Sequence, residues 1–92
     1  MQLIIVAPRG VLCHTDVEKV SFPGALGAFT VLPGHAPLIA RLTAGEIVYF
    51  TGWDEHRQII KSGFVKVLKD KIEVCVESPD EQPRKQMEYV SD

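Results

Sequence analysis

Apolar and polar residues alternate with period two along most of this chain, and turn-forming clusters interrupt the alternation about every 8–12 residues. In Leu3–Ala7 both registers are apolar, with Leu3, Ile5 and Ala7 set against Ile4 and Val6, which predicts a strand covered on two sides. Val20 and Phe22 alternate around Ser21, and "PGALG" from Pro23 to Gly27 closes a turn. Val17 stands three residues before Val20, which breaks strict alternation and predicts a β-bulge at Glu18 and Lys19. "AFTVL" reads as a short strand, Pro33–Pro37 as a turn and "LIARL" as the next strand. Gly45 then opens "EIVYF", and "TGWDEH" returns the chain to "RQIIKS". "GFVKVL" meets "KIEVCVE" across Lys69-Asp70-Lys71, a tight hairpin.

Alternation also assigns sides. Ile72, Val74 and Val76 face inward, so Glu73, Cys75 and Glu77 share the outer face, and Cys75 is an exposed or interface thiol. No segment before Ser78 carries a helical stripe, and Pro8, Pro23, Pro33 and Pro37 interrupt any helix drawn through the first half. Short, evenly spaced strands of this kind predict an all-β sandwich or small barrel. From Ser78 the composition changes to "SPDEQPRKQMEYVSD", polar and with two prolines. The expected organisation is therefore one β-domain over 1–77 and a polar, poorly ordered tail over 78–92, with at most one helical turn after Pro83.

The bulk properties narrow the function classes. A 92-residue chain has room for one core. A net charge of −2 lacks the basic footprint that nucleic-acid binding leaves. The apolar run Leu3–Ala7 is short and follows no basic start, unlike a secretory signal, and no stretch approaches the ~20 apolar residues of a membrane span. Cys13 and Cys75 then read as free thiols in a reducing compartment, with a disulfide between sheet neighbours as the alternative.

Candidate chemistry is sparse. His14, His35 and His56 are spaced 21 residues apart, with no close ligand pair to fix two metal bonds at once. Cys75 has no local electropositive setting to lower its pKa. "PGALGAF" lacks the Lys-Ser/Thr ending of a phosphate loop and leads into a strand. No catalytic, cofactor or metal site is expected. A small β-barrel that binds protein or nucleic acid is the alternative class. Against nucleic acid, Phe22, Phe29, Tyr49, Phe50, Trp53 and Phe64 are dispersed over core and turn positions, and ten Lys and Arg are outnumbered by twelve acids.

The run "FPGALGAFTVLPGHAPLIARLTAG" carries a more specific signal. It resembles the N-terminal domain of the epsilon subunit of the bacterial rotary (F-type) ATP synthase. The likeness rests on Pro23, Gly24, Gly27, Phe29, Val31, Leu32, Pro33, Gly34, His35, Ala36, Pro37, Leu38 and Gly45. "LIIVAPRGVL", "KSGFVKV" and "KDKIEVCVE" extend it over Met1 to about Glu77. The resemblance implies a flattened β-sandwich of about ten short strands in two sheets. It implies a non-catalytic central-stalk subunit without cofactor or small-molecule ligand, whose partners are the gamma subunit and the c-ring and which couples proton-driven rotation to ATP synthesis. Such a subunit is peripheral on the cytoplasmic face of the bacterial inner membrane and meets the membrane only indirectly, through the c-ring.

By the same resemblance, Ala28, Phe29, Thr30, Val31, Leu32, Pro33, Gly34 and His35 form a c-ring-facing loop, while Ala7, His35, Ala36, Pro37, Leu38, Ile39 and Ala40 face gamma. A turn pinned by Pro33 and Pro37 loses little entropy on docking, which suits an interface. Two departures matter. Many relatives have an acid at the position of Ala28 and a glycine at that of Thr30, so an ionic contact from position 28 is not expected, and Phe29, Val31 and Leu32 are left to make the contact if exposed. The family's C-terminal helical hairpin, linked to ATP binding and to braking hydrolysis, has no counterpart up to Asp92. The expectation is a subunit that neither senses ATP nor acts as a brake.

Overall fold

The fold is seen in a computed structural model that describes residues 1–79. The described strands are β1 (Gln2–Ala7), β2 (Gly10–Asp16), β3 (Lys19–Phe22), β4 (Phe29–Val31), β5 (Leu38–Leu42), β6 (Gly45–Thr51), β7 (Asp54–Ile60), β8 (Ser62–Leu68) and β9 (Lys71–Glu77). They form a five-stranded sheet in the order β2-β1-β9-β8-β5 and a four-stranded sheet in the order β4-β3-β6-β7. This is the all-β sandwich expected from the alternation. Neighbours are antiparallel except β1 and β9, which run parallel and join the two ends of the domain.

Period two explains the layering. Every second residue of β8 and β9 is buried, end to end. Leu3, Ile5, Val65, Val67, Ile72 and Val74 of one sheet meet Val20, Phe22, Val31, Ile47 and Ile60 of the other, all with 2% exposure or less. Burying each such side chain stabilises the fold by about 1.5–3 kcal/mol relative to leaving it in water. Ile72, Val74 and Val76 face inward and Cys75 outward, as read from the hairpin.

Three features differ from the sequence reading. Ile4 and Val6 are only half-buried, so β1 is covered on one side and its second apolar register lies on an outer face. No bulge forms at Glu18 and Lys19. Val17 is buried where the chain leaves one sheet for the other: its N–H donates to Met1 O (2.7 Å), while Glu18 N–H donates to Phe50 O (3.0 Å) in the opposite sheet. The irregularity sits in β2, where Ile5 pairs with Cys13 but Val6 with Val11, leaving Leu12 as the extra residue. Finally, register puts Cys13 on the same side as the buried Ile5, away from Cys75, so the two thiols stay free.

At the far end of the sandwich, Pro23–Ala25 clasps the last residues of β5. Ala25 N–H donates to Arg41 O (2.9 Å), Thr43 N–H donates to Pro23 O (2.8 Å), and Gly24 bridges Leu42. A Cβ on Gly24 would come within 2.9 Å of the Phe29 ring, which stacks on Phe22 at 5.4 Å. The clasp therefore requires glycine at this close approach. Ser78 is buried; the remainder of the tail predicted over 78–92, from residue 80 on, lies outside the described residues.

Candidate functional site

The Pro33–Pro37 stretch owes its shape to local chemistry. Pro33 and Gly34 occupy the two central positions of a turn closed by His35 N–H donating to Leu32 O (3.0 Å), with Gly34 at φ +84°. That is a type II turn, in which proline pre-sets the first position and glycine meets the positive φ of the second. His35 Nδ1–H donates to Ala36 O (2.7 Å), which holds the half-buried ring against its own loop.

The residues expected to face the c-ring do not form one loop. Ala28 ends the first turn, Phe29–Val31 are β4, and Leu32–His35 make the second turn. Val31 is fully buried, so it anchors the strand in the core and offers no surface to a partner. Phe29 is half-buried on Phe22, while Thr30 points outward and shares a 2.9 Å hydrogen bond with Ser21. Ala28, Leu32, Pro33 and Gly34 are exposed.

The gamma-facing set is divided too. Register puts Ala7, paired with Gly10, at the opposite end of the five-stranded sheet from Leu38, paired with Val67. Leu38 and Ala40 turn inward against the core, whereas Ile39 is 76% exposed.

What the fold brings together is a side of the sandwich. A groove of about 360 Å³ between the Pro23–Gly27 turn and the outer edge of β5 is lined by Phe29, Ile39 and Ala40, with Gly24, Ala25, Leu26, Gly27 and Arg41. Leu26, fully exposed at its rim, went unnoticed in the sequence because a turn has no periodicity from which to read a side. Ala7 lines a second depression of about 530 Å³ on the outer face of the five-stranded sheet, beside Val6, Pro8, Arg41, Phe64 and Cys75. Phe64 is 54% exposed rather than a core aromatic, and Trp53 stands fully exposed at the β6–β7 turn. Phe64 could have been found by carrying the β9 alternation across the hairpin, since it pairs with the outward Cys75.

The histidines do not gather. His14 lies on the outer face opposite Ile4, and His35 lies in its loop. His56 stacks on Tyr49 at 5.0 Å, with Nε2 2.9 Å from Thr51 Oγ1. Among the described residues no three His, Cys, Asp or Glu side chains come close enough to share a metal ion. Burial, and then a hydrogen bond with the Cys13 thiol, push the Tyr49 hydroxyl up to about 12. Its neighbour Cys13 belongs to β2, in the other sheet. The outer face of the four-stranded sheet carries paired charges beside the exposed Ile59: Arg57 reaches Glu46 and Glu55, each at 2.6 Å, and Lys19 lies over Phe50 at 4.7 Å. The arrangement offers exposed apolar surfaces of the kind a protein partner covers.

Comparisons with known proteins agree on one family. Residues 1–80 match the family described as ATP synthase, Delta/Epsilon chain, beta-sandwich domain. The ATP synthase epsilon chain 2 of Syntrophotalea carbinolica is 37% identical over 82 residues, covering 89% of this chain and 59% of that one. The epsilon chain of a Sulfurovum species is 42% identical over 78 residues, covering 84% and 61%. The chain thus spans less than two-thirds of the length of these curated relatives. A chain of the Euglena gracilis mitochondrial ATP synthase superposes with a TM-score of 0.75 at 18% identity, covering 80% of this chain and 48% of that one. One from the central stalk and c-ring of the Tetrahymena thermophila enzyme gives 0.71 at 13%, covering 96% and 73%. At such identities the likeness is one of fold.

Proposed function

Because this chain belongs to the ATP synthase delta/epsilon chain beta-sandwich family, we propose that it works as the epsilon-type subunit of the rotary central stalk. It binds gamma and the c-ring, so that proton-driven rotation of the ring reaches the catalytic head as ATP synthesis. It performs no chemistry itself. It sits peripherally, at the cytoplasmic face of the bacterial inner membrane. No helix among the described residues is long and apolar enough to cross a membrane.

The observation that carries this reading is the side of the sandwich around β4 and β5. There Leu26, Leu32 and Ile39 are exposed by 105%, 50% and 76% on a framework whose core is closed. Apolar side chains exposed on tight turns and on a strand edge are what a protein partner can bury with little loss of entropy. Torque transfer needs stiffness as well as grip. The Pro23–Ala25 clasp and the Val17–Glu18 crossover supply it by tying the two sheets at both ends.

The test is co-purification of the tagged chain from detergent-solubilised membranes. Gamma and the c-ring are expected to accompany the unaltered chain. Replacing Leu32 or His35 by Ala is expected to weaken their retention about tenfold, the effect of a moderate interface hot spot. Recovery of the chain without either partner would overturn the reading.

A further inference from the structure

We propose that the tip of the β8–β9 hairpin forms an anion site, in which Lys66, Lys69 and Lys71 take a phosphoryl group. The three lysines line one depression of about 530 Å³ beside that tip. Alternation along the two strands sets this up. Val65, Val67 and Ile72 are buried, so Lys66, Leu68 and Lys71 point outward. Register pairs Leu68 with Lys71 and Lys66 with Glu73, which makes Lys66 and Lys71 diagonal neighbours. Side chains so placed start about 7–8 Å apart, and their long flexible stems let both ammonium groups converge on one phosphoryl group.

The third lysine is the informative one. Lys69 and Asp70 are the two-residue turn between the paired Leu68 and Lys71, and Lys69 holds φ at +56°. Among the described residues it alone, glycines apart, has a positive φ. Hairpin turns give that conformation to Gly, Asn or Asp, so turn chemistry does not call for a lysine here. What the lysine adds is a cation at the mouth of the depression. Gln2 N–H donates to Asp70 O (2.7 Å), which ties the tip to β1 and holds it in place. None of the three lysines forms an ion pair among the described residues, although Lys66 lies opposite Glu73. The depression sets three cations against the carboxylates of Asp70 and Glu73, a local positive excess on a chain of net charge −2. Those carboxylates repel a weak anion. A phosphoryl group outweighs them, because it offers several charged acceptor oxygens to the ammonium donors. Leu68, 47% exposed, gives an apolar wall for whatever carries that group, a soluble phosphate ester or a lipid.

The test uses the full chain and two probes. Inorganic pyrophosphate is titrated at constant ionic strength while backbone amide shifts are followed by NMR. Vesicles of phosphatidylcholine, with and without an equal part of phosphatidic acid, are tested for binding by flotation. Saturable shifts at Lys66 and from Lys69 to Glu73 are expected with pyrophosphate, and they identify a soluble phosphate as the source. Flotation only with phosphatidic acid, without a saturable pyrophosphate response, supports the site equally and identifies a lipid headgroup. Lys69→Asn puts a residue suited to positive φ in the turn, so the melting temperature should not fall, yet binding should weaken about tenfold. Lys66→Gln, on the exposed register of β8, should weaken binding by a similar factor and leave folding unchanged. Binding to neither probe, or binding that either variant retains in full, overturns the site. The site does not depend on the epsilon-type reading, and its loss would leave that reading as it stands.

Discussion

On the outside of β6 and β7, Arg57 spans two carboxylates, Lys19 covers Phe50, and Ser21 shares a hydrogen bond with Thr30 across β3 and β4. On the outside of β8 and β9, Phe64 and Cys75 lie side by side with Val6, and Arg41 has only an aromatic ring for company among the described residues. Both faces grow from the same period-two alternation over the same core. They differ in whether the outward register satisfies itself. Charges that find partners within their own sheet, such as Arg57 with Glu46, leave nothing for another protein to complete. An apolar row with an unpaired cation at its end leaves apolar surface and a charge that its own sheet does not satisfy. The difference teaches that the outward half of each alternation carries the functional information, while the inward half carries the fold.

The comparison can be broken at several levels. The largest effect is expected in the shared core. Phe22→Ala removes a fully buried ring and its stack with Phe29, and should cost about 3–5 kcal/mol in urea unfolding, as large aromatic truncations do. Both faces should be lost in one transition. Two separate transitions would mean that the sheets fold independently. A smaller effect, confined to one sheet, is expected from Gly63→Ala. The new Cβ would lie 2.5 Å from Cys75 O and 3.1 Å from Val76 Cγ1, forcing β8 away from β9. The cost should be about 1–3 kcal/mol, typical of overpacking, together with faster alkylation of Cys75. Unchanged stability and thiol reactivity would mean that the strands yield freely there.

Next comes the Tyr49 hydroxyl, on the side of β6 that faces the other sheet. Tyr49 holds its proton to about 12, above the ordinary 10.0. Below pH 10 neither folded nor unfolded chain ionises it, and its contribution is complete. As pH rises from about 10 through 12 the unfolded chain loses the proton first, so stability should fall over that window. Melting temperatures measured across it should drop for the unaltered chain and drop less for Tyr49→Phe. Parallel curves would contradict the assignment. The smallest effect belongs to Arg57→Ala on the self-satisfied face. An exposed ion pair contributes little, so the melting temperature should barely move and gamma affinity should not change.

The sequence made the inward register plain and the strand order obscure. Ile72, Val74 and Val76 announce their side because every second position repeats the choice. Nothing local says that β9 pairs with β1, its most distant relative along the chain, because that pairing depends on how the whole sheet closes. The two irregularities were exchanged for a similar reason. A chain switching sheets at Val17 and a bulge at Leu12 both shift alternation by one residue, and only the partners tell them apart. Resemblance drew the residues from Ala28 to His35 as one surface, whereas β4 buries Val31 in their midst. Leu26 and Trp53 lay beyond reach because turns impose no side on their residues.

The most direct test sets one residue of each outer face against the other. Phe64 on β8 and Ile59 on β7 are almost equally exposed, at 54% and 56%, so replacing either with Ser removes comparable apolar surface from water. Affinity for the catalytic core is then measured for both variants by titration. Phe64→Ser should weaken binding about tenfold or more, while Ile59→Ser binds as the unaltered chain does. Equal affinities for the two variants, or a loss confined to Ile59→Ser, would contradict the account that the two outer faces differ in what they leave for a partner.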